Sequence, residues 1–174
     1  MLGVQSVSRR SWRVFYTTAR SEKKSERYLR SRNVTAFTPT MEVVRQWSDR
    51  KKTIVEPLFR NYLFAHVDEW ERIRVLEAPG IVHCLAFCGK PVTIPEEEIT
   101  RIRYLEHAGS HLEVIQARLP KGVPVVVTEG LMQGLTGELL EYRGQRRVVV
   151  RIYSIRQVVS LNLPRDWVKA VAAC

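Results

Sequence analysis

The run from Tyr62 to Val67 constrains the fold more than any other part of this chain. Its side chains are apolar or aromatic at almost every position. Successive side chains of a β-strand point to opposite faces, so Tyr62 and Phe64 share one face and Leu63 lies on the other. A strand that is apolar on both faces needs cover on both sides. The run therefore predicts a central strand of a sheet, with helices against the Leu63 face.

Periodicity leaves two interpretations open for the face that carries Tyr62 and Phe64, which Tyr16 from a neighbouring strand would join. In the first interpretation, other elements of the same chain cover this face. In the second, the face stays open for a partner. Exposed aromatic patches usually mark protein interfaces, which gives the second interpretation its weight.

The first two thirds of the sequence predict a mixed α/β arrangement. Alternating apolar positions, caps and turn residues predict strands over 12–17, 34–47 (with a break at Pro39), 52–55 and 81–87, and helices over 21–32 and 69–77 and after Pro95. The two strands around Ser48-Asp49-Arg50 form an extended hairpin with a basic tip. The order β-α-β-β-β-α-β-α indicates a sandwich with helices over one sheet.

The last third of the sequence has a different pattern of predicted elements. Strand patterns recur over 123–128, 136–142, 148–153 and 157–163 with no helix between them, which predicts a small β-barrel. The fold class is therefore α+β, an α/β sandwich followed by an all-β barrel. The predicted divisions are a disordered lead (1–10), a first domain (11–107), a linker (108–120) and a second domain (121–174).

The charge of the chain favours a polyanionic partner. The formal net charge is +10 and the sequence pI about 9.9, and residues 9–60 alone carry a net +9. Phosphate attraction and counterion release make nucleic acid the natural partner of such a surface, with an inert basic surface as the alternative. The three cysteines do not form the pattern of a disulfide-rich secreted domain. The sequence has no apolar run near the ~20 residues of a membrane span and no signal-peptide core. We therefore predict a cytoplasmic protein with reduced thiols.

Several motifs in this order resemble the NusG family. The first domain carries Trp12-Arg13-Val14-Phe15-Tyr16, Phe37-Thr38-Pro39, Trp47-Ser48-Asp49-Arg50-Lys51-Lys52 and Glu56-Pro57-Leu58-Phe59-Arg60-Asn61-Tyr62-Leu63-Phe64, which look like the family's N-terminal NGN domain. The second carries Lys121-Gly122, Glu129-Gly130, Gly134 and Gly137, which look like the KOW motif of an SH3-like barrel. The turns of such a barrel suit Gly130, Gly134 and Gly137, because glycine permits positive φ.

The resemblance implies a transcription elongation factor. The hairpin and strand motifs are most similar to specialised antitermination paralogs of the UpxY and RfaH type, which promote processive transcription of particular operons. In the family an aromatic depression binds the clamp helices of the largest catalytic RNA polymerase subunit. Carried over, the lining residues are Tyr16, Leu58, Phe59, Tyr62 and Phe64. Arg60 departs from the family pattern, which usually has proline at that position.

The resemblance also implies nucleic-acid contacts to non-template or upstream DNA. The predicted contact residues are the cations of the first helix (Arg20, Lys23, Lys24, Arg27 and Arg30) and of the hairpin tip (Arg50, Lys51 and Lys52). A solvated polar face is the alternative for both sets. The KOW domain would bind the ribosome or a termination factor. Its runs of valine favour strands, so we expect a constitutive barrel in a monomeric protein.

Two other functions have weaker support. One alternative is a ribosome- or RNA-binding module that uses the KOW barrel alone. Another alternative is a small metalloenzyme with His66, His83, Cys84 and Cys88 as metal ligands, but one CxxxC spacing is a weak signal. There is no P-loop, dinucleotide glycine fingerprint or nucleophile elbow. We therefore expect no enzyme activity, cofactor, metal or membrane partner.

Overall fold

The computed structural model describes residues 9–47, 49–115 and 119–171. Most of the predicted disordered lead, residues 1–8, lies outside the described residues. The chain divides into two compact units. The first comprises Met1–Thr38 and Arg60–Pro95, and the second comprises Pro39–Phe59 and Glu96–Cys174.

The helices and strands follow one another along the described chain in a mixed order. They are β1 (Ser11–Thr17), α1 (Glu22–Arg30), β2 (Thr35–Phe37), β3 (Thr40–Gln46), β4 (Lys51–Pro57), β5 (Tyr62–Val67), α2 (Glu69–Leu76), β6 (Ile81–Cys84), β7 (Ala86–Phe87), β8 (Lys90–Pro91), β9 (Thr93–Ile94), α3 (Glu96–Leu105), β10 (Leu112–Ile115), β11 (Val123–Val127), β12 (Thr136–Tyr142), β13 (Gln145–Ile152), β14 (Gln157–Leu161) and β15 (Val168–Ala170). Short 3-10 turns occupy Glu106–His111, Tyr153–Ile155 and Arg165–Trp167.

The first unit is built on an antiparallel sheet in the order β2-β5-β1-β6, and β9 also pairs with β1. The predicted strand Tyr62–Val67 is confirmed with these bounds and lies in the interior of the sheet. Its Leu63 face packs with Phe15, Leu29 of α1 and Val75 of α2 in one buried cluster. This apolar core fixes the register of the sheet, because a shift of one residue would turn every side chain to the other face.

Helix α2 begins where its sequence predicts. Asp68 accepts a hydrogen bond from the Glu71 N–H at 2.8 Å, and the Glu71 carboxylate accepts one from the Asp68 N–H at 3.1 Å. This reciprocal capping box satisfies two backbone donors that the first helical turn would leave unpaired. The helix predicted after Pro95 is also present, and Glu96, Glu97 and Glu98 form its first turn.

The predicted hairpin is confirmed in the second unit. Strands β3 and β4 pair antiparallel from Thr40 and Pro57 at the base to Gln46 and Lys51 near the tip. The predicted strand over 34–47 is interrupted at Thr38-Pro39 as expected, which gives β2 and β3. Near the base, the Leu58 N–H donates to the Pro39 carbonyl at 2.7 Å.

The C-terminal strands form a six-stranded antiparallel sheet in the order β10-β14-β13-β12-β11-β15. All four predicted strands are present. Two further strands were not predicted, and one of them, β10, lies inside the segment predicted as a linker. Within the described residues β10 and β15 do not pair with each other, so the observed ladder is an open sheet rather than the predicted closed barrel.

Two of the three predicted turn glycines have the expected conformation. Gly130 and Gly134 have φ of +75° and +90°, a region that side-chain-bearing residues rarely adopt. Gly137 does not have positive φ, and that part of the prediction is wrong. It lies within strand β12, where an added Cβ would come within 2.9 Å of Val148 Cγ1 and of the Val149 carbonyl oxygen. Close approach of strand β13, not turn geometry, requires glycine there.

A buried carboxylate joins helix α3 to the C-terminal sheet. Glu98 is 6% exposed, and its two carboxylate oxygens accept hydrogen bonds from the Tyr153 and Ser154 N–H groups, each at 3.2 Å. No helix among the described residues is long and apolar enough to cross a membrane.

Candidate binding surfaces

The accessible part of the aromatic sheet face is a cluster of three rings, here called the tyrosine cluster: Tyr16, Tyr62 and His83. Tyr16 and Tyr62 are opposite each other in the β1–β5 register, with ring centroids 5.8 Å apart in an edge-to-face arrangement. His83 lies opposite Tyr16 on β6 and stacks on it at 5.2 Å. The tyrosines are half-buried and His83 is exposed. The sequence does not predict His83 as a member of this surface, because its position depends on the pairing of β6 with β1.

Three further aromatic residues of this sheet face, Trp12, Phe37 and Phe64, are buried. Trp12 packs edge-to-face on Phe37 at 5.4 Å, and Phe37 stacks on Phe64 at 5.3 Å. Phe64 shares a face with Tyr62 as predicted, but it is 0% exposed. Leu58 and Phe59 are 3% and 2% exposed. The expectation that these three side chains line an open depression is therefore not met by this structure, which leaves Tyr16 and Tyr62 as the accessible members of the predicted set.

A tight turn positions Tyr62. Asn61 has φ of +67°, a left-handed conformation that asparagine tolerates better than most residues. Its N–H donates to the buried Glu22 carboxylate at 2.8 Å, and its side-chain amide donates to the Thr17 carbonyl at 3.0 Å. The hydrogen bond from Asn61 to Glu22 joins residues far apart in sequence, and the sequence pattern does not predict it. Burial, followed by the nearby Tyr16, raises the pKa of Tyr62.

The predicted cations of helix α1 differ in their accessibility. Lys24, Arg27 and the preceding Arg20 are exposed, whereas Lys23 is half-buried. Arg30 is also exposed, but its Nε donates to the Ala36 carbonyl at 2.8 Å and its Nη2 lies 2.9 Å from a Glu26 carboxylate oxygen. Arg30 thus anchors the end of the helix, and the predicted cations of α1 are not equivalent to one another.

The hairpin tip exposes all three of its predicted cations. Arg50, Lys51 and Lys52 are exposed, and the Asp49 carboxylate lies 3.9 Å from Arg50. Exposed ion pairs at such a distance are weak. Trp47 lies beside these cations and is 55% exposed. The tip therefore combines positive charge with a large accessible ring.

Two arginines of the C-terminal sheet are engaged within the chain. Arg143 lies 3.2 Å from Glu113, and Arg151 donates to Glu138 at 3.1 Å. Burial of Glu138 opposes its ionisation, but hydrogen bonds from Arg151 and the Gly122 N–H outweigh that effect and lower its pKa.

The cysteine-containing segment has no arrangement typical of a metal centre. Cys84 is half-buried and Cys88 is exposed, and both are free thiols. Burial raises the pKa of the Cys84 thiol. In the described parts of the chain, no three His, Cys, Asp or Glu side chains are grouped closely enough to hold a metal ion.

The structure is that of an α+β protein with accessible aromatic rings on one sheet face and exposed cations on helix α1 and on the hairpin. The family model described as transcription termination factor NusG matches residues 10–103. The chain belongs to this family of transcription factors. The matched region includes the tyrosine cluster, helix α1 and the hairpin.

One solved structure agrees at the level of the fold. A structure that concerns domain interaction in Thermotoga maritima NusG is 18% identical in sequence, aligns over 94% of this chain and 98% of that one, and gives a TM-score of 0.55. A crystal structure of the MjSpt4:Spt5 complex in conformation A is 12% identical over 92% of this chain and 98% of that one, with a TM-score of 0.32. A TM-score as low as the second does not establish a shared fold.

Proposed function

We propose that this protein is a specialised elongation and antitermination factor that acts by binding RNA polymerase and the nucleic acid of the transcription bubble. The tyrosine cluster is the observation that carries the proposal. It binds the clamp helices of the largest catalytic subunit, and the cations of helix α1 and the hairpin contact non-template or upstream DNA. The protein performs no chemistry. It stabilises the processive conformation of the polymerase because it binds that conformation more tightly than the others.

The tyrosine cluster has the physical properties of an interface anchor. Tyr16 and Tyr62 are half-buried, so their positions are fixed by the sheet while their outer edges remain available. Each offers apolar ring area together with a hydroxyl that can exchange hydrogen bonds with a polar partner. Tyrosine in such a setting is among the residue types that dominate binding energy at protein interfaces.

Helix α1 provides the cations best placed for DNA. Lys24, Arg27 and Arg20 are exposed, and Arg27 Nε makes only a long hydrogen bond of 3.3 Å to the Lys23 carbonyl of its own helix. Phosphate contacts from such residues position a protein on nucleic acid without reading its sequence.

A binding measurement with core RNA polymerase tests the proposal. The double substitution Tyr16→Ala and Tyr62→Ala is expected to weaken binding about 30-fold or more, which corresponds to about 2 kcal/mol for loss of an interface anchor. Trp70→Ala is the matched control, because Trp70 is 78% exposed on helix α2, which packs against the other face of the sheet. Equal affinities for the wild type and the double variant would overturn the proposed polymerase surface.

A transcription assay tests the consequence for elongation. The wild-type protein is expected to increase full-length product from a long template, and the Trp70→Ala control should do the same. The tyrosine double variant should leave the yield at the level of polymerase alone. A wild-type protein that binds polymerase but lowers the full-length yield would contradict antitermination and indicate a pausing or termination role.

The C-terminal half provides a second candidate contact, with the ribosome or a termination factor. Leu131 is 78% exposed beside the Gly130 turn, and Arg146 is also exposed. These residues favour a protein or ribonucleoprotein partner for an SH3-like KOW domain. Sedimentation with ribosomes is expected to retain the wild-type chain and to lose a Leu131→Glu variant. Equal retention of both chains would remove Leu131 from this contact.

A further inference from the structure

We propose that the hairpin tip is a site for single-stranded nucleic acid, in which Trp47 stacks on an unpaired base and Arg50, Lys51 and Lys52 contact the flanking phosphates. This inference rests on the proposed nucleic-acid contact of the hairpin and specifies its ligand. It adds a base-stacking residue to a surface that was predicted from positive charge alone.

The hairpin holds its tip away from its base. Seven residue pairs connect β3 and β4 from Thr40 and Pro57 to Gln46 and Lys51. At about 3.4 Å per residue, these six steps separate the tip from the base by about 20 Å. The base is anchored, because the Thr40 N–H donates to the Glu106 carboxylate at 3.0 Å. Among the described residues, β3 and β4 pair only with each other.

The backbone of Trp47 is hydrogen-bonded, and its indole ring remains accessible. Its N–H donates to the Arg50 carbonyl at 2.8 Å, and its own carbonyl accepts a hydrogen bond from the Gln46 side chain at 3.1 Å. The Lys52 ammonium lies 6.0 Å from the centroid of the indole ring. The ring is nevertheless 55% exposed. A large aromatic ring left in water on a fixed backbone is suited to binding, because little conformational entropy is lost when a partner covers it.

The charges around Trp47 favour an anionic ligand over an apolar protein surface. Arg45 and Lys52 are directly opposite each other across the strands, an arrangement of like charges that destabilises a hairpin. Arg45 is partly neutralised by the Glu56 carboxylate at 2.9 Å. Lys52 stays beside the indole ring, and Arg50 and Lys51 are exposed next to it. Phosphate groups would relieve this repulsion.

An exposed ring beside several cations is the combination that binds single strands. Every nucleobase has a flat face that an indole ring can cover, and the cations follow the backbone. In duplex DNA both faces of each base are covered by its neighbours. Trp47 should therefore contribute to the binding of single strands and very little to the binding of duplexes, whereas the cations should contribute to both.

Fluorescence anisotropy with the full-length protein tests this difference. The probe is a labelled oligothymidylate about 12 nucleotides long, compared with a duplex of equal length and with an abasic strand of the same backbone. Trp47→Ala is expected to weaken binding of the oligothymidylate about 5- to 150-fold. The same substitution should change binding of the duplex and the abasic strand by less than about twofold. Trp47→Phe, which keeps an aromatic ring, should restore most of the affinity.

Two control measurements separate stacking from charge. Replacing Arg50, Lys51 and Lys52 together by Gln is expected to reduce the slope of log K against log salt by about 2, at about 0.7 for each phosphate contact in a single strand. Trp47→Ala should leave that slope unchanged. Quenching of tryptophan fluorescence by the oligothymidylate should be smaller for Trp47→Phe than for the wild type.

Several results would overturn the inference. One is equal binding of the oligothymidylate by Trp47→Ala and the wild type. A Trp47→Ala variant that loses affinity for RNA polymerase but not for the oligothymidylate would assign the tip to a protein partner instead. Affinity lost equally for the single strand, the duplex and the abasic strand would mean that Trp47 only supports the fold of the hairpin. The polymerase assay with the tyrosine double variant is independent, so failure of one proposal is distinguishable from failure of the other.

Discussion

Tyr62 and Phe64 lie two residues apart on the same face of strand β5, yet their environments differ. Phe64 is fully buried and stacks on Phe37 at 5.3 Å. Tyr62 is half-buried, and its ring meets Tyr16 at the accessible edge. We expect Phe64→Ala to lower the free energy of unfolding by about 3–5 kcal/mol, because it removes a full ring from a packed interior. Tyr62→Ala should lower the free energy of unfolding by clearly less, since part of the Tyr62 ring already contacts water.

Urea unfolding of the two single variants measures this difference. The comparison also determines how polymerase binding is interpreted, because a variant that unfolds loses binding for a trivial reason. If both substitutions destabilise the protein equally, Tyr62 is a core residue, and loss of binding in the tyrosine double variant cannot be assigned to the surface.

Glu138 makes the stability of the C-terminal sheet dependent on pH. Its pKa in the folded protein is lowered, since its hydrogen bonds with Arg151 and the Gly122 N–H outweigh burial. A carboxyl group whose folded pKa is depressed stabilises the fold at pH values above its unfolded pKa, which is near 4.5. That contribution is lost as the pH falls through the folded value. Thermal unfolding from about pH 6 to about pH 3 should therefore show a smaller fall in Tm for Glu138→Gln than for the wild type.

Glu141→Gln is the control, because Glu141 is an exposed carboxylate on the same strand. Its Tm should follow that of the wild type through the acid range. A Glu138→Gln variant with the acid dependence of the wild type would show that the ion pair with Arg151 contributes nothing to stability.

Among the elements, helix α1 carries its structural contacts and its proposed DNA contacts on different residues. Arg30 is engaged by Ala36 and Glu26, whereas Lys24 and Arg27 are exposed. We expect the double substitution Lys24→Gln and Arg27→Gln to weaken binding of single-stranded DNA. It should also reduce the slope of log K against log salt by about 1.4, which is about 0.7 for each lost phosphate contact. Titration at several salt concentrations measures that slope.

A second double variant removes the same amount of charge from other surfaces. Arg74 and Lys90 are exposed outside α1 and the hairpin, and their replacement by Gln should leave the slope unchanged. If both double variants reduce the slope equally, DNA binding is a property of the total charge of the protein and not of helix α1.

Elements that depend on interactions between residues close in sequence are predicted correctly, whereas elements that depend on long-range pairing are not. Strand β5 and the capped helix α2 depend on alternation and on contacts within a few residues, and both appear as predicted. Strand β10 depends on pairing with β14, as in Leu112 with Leu161. Nothing in its four residues indicates a partner so distant in sequence, so the sequence pattern predicts a linker there. The burial of Phe59 and the stacking of His83 on Tyr16 likewise depend on tertiary contacts.

The whole molecule is organised differently from the two consecutive domains that the sequence predicts. Helix α3 and the hairpin group with the C-terminal sheet in one compact unit. The amino-acid composition changes near residue 108, and this change predicts a domain boundary there. The contacts that assign α3 to the C-terminal sheet come from individual side chains such as Glu98, whose sequence context is that of an ordinary acidic helix start.

Glu98 provides a test of whether α3 and the C-terminal sheet are held together in solution. Its carboxylate is buried and accepts hydrogen bonds from the Tyr153 and Ser154 N–H groups. Glu98→Ala leaves both donors without this acceptor, which should lower the free energy of unfolding by about 1–3 kcal/mol. Hydrogen exchange at these two amides should accelerate, because the local opening that exposes them becomes easier. Glu97→Ala, one residue away and exposed, should change neither measurement. If Glu98→Ala leaves the exchange of both amides unchanged, the contact does not persist in solution, and α3 and the C-terminal sheet move as separate bodies.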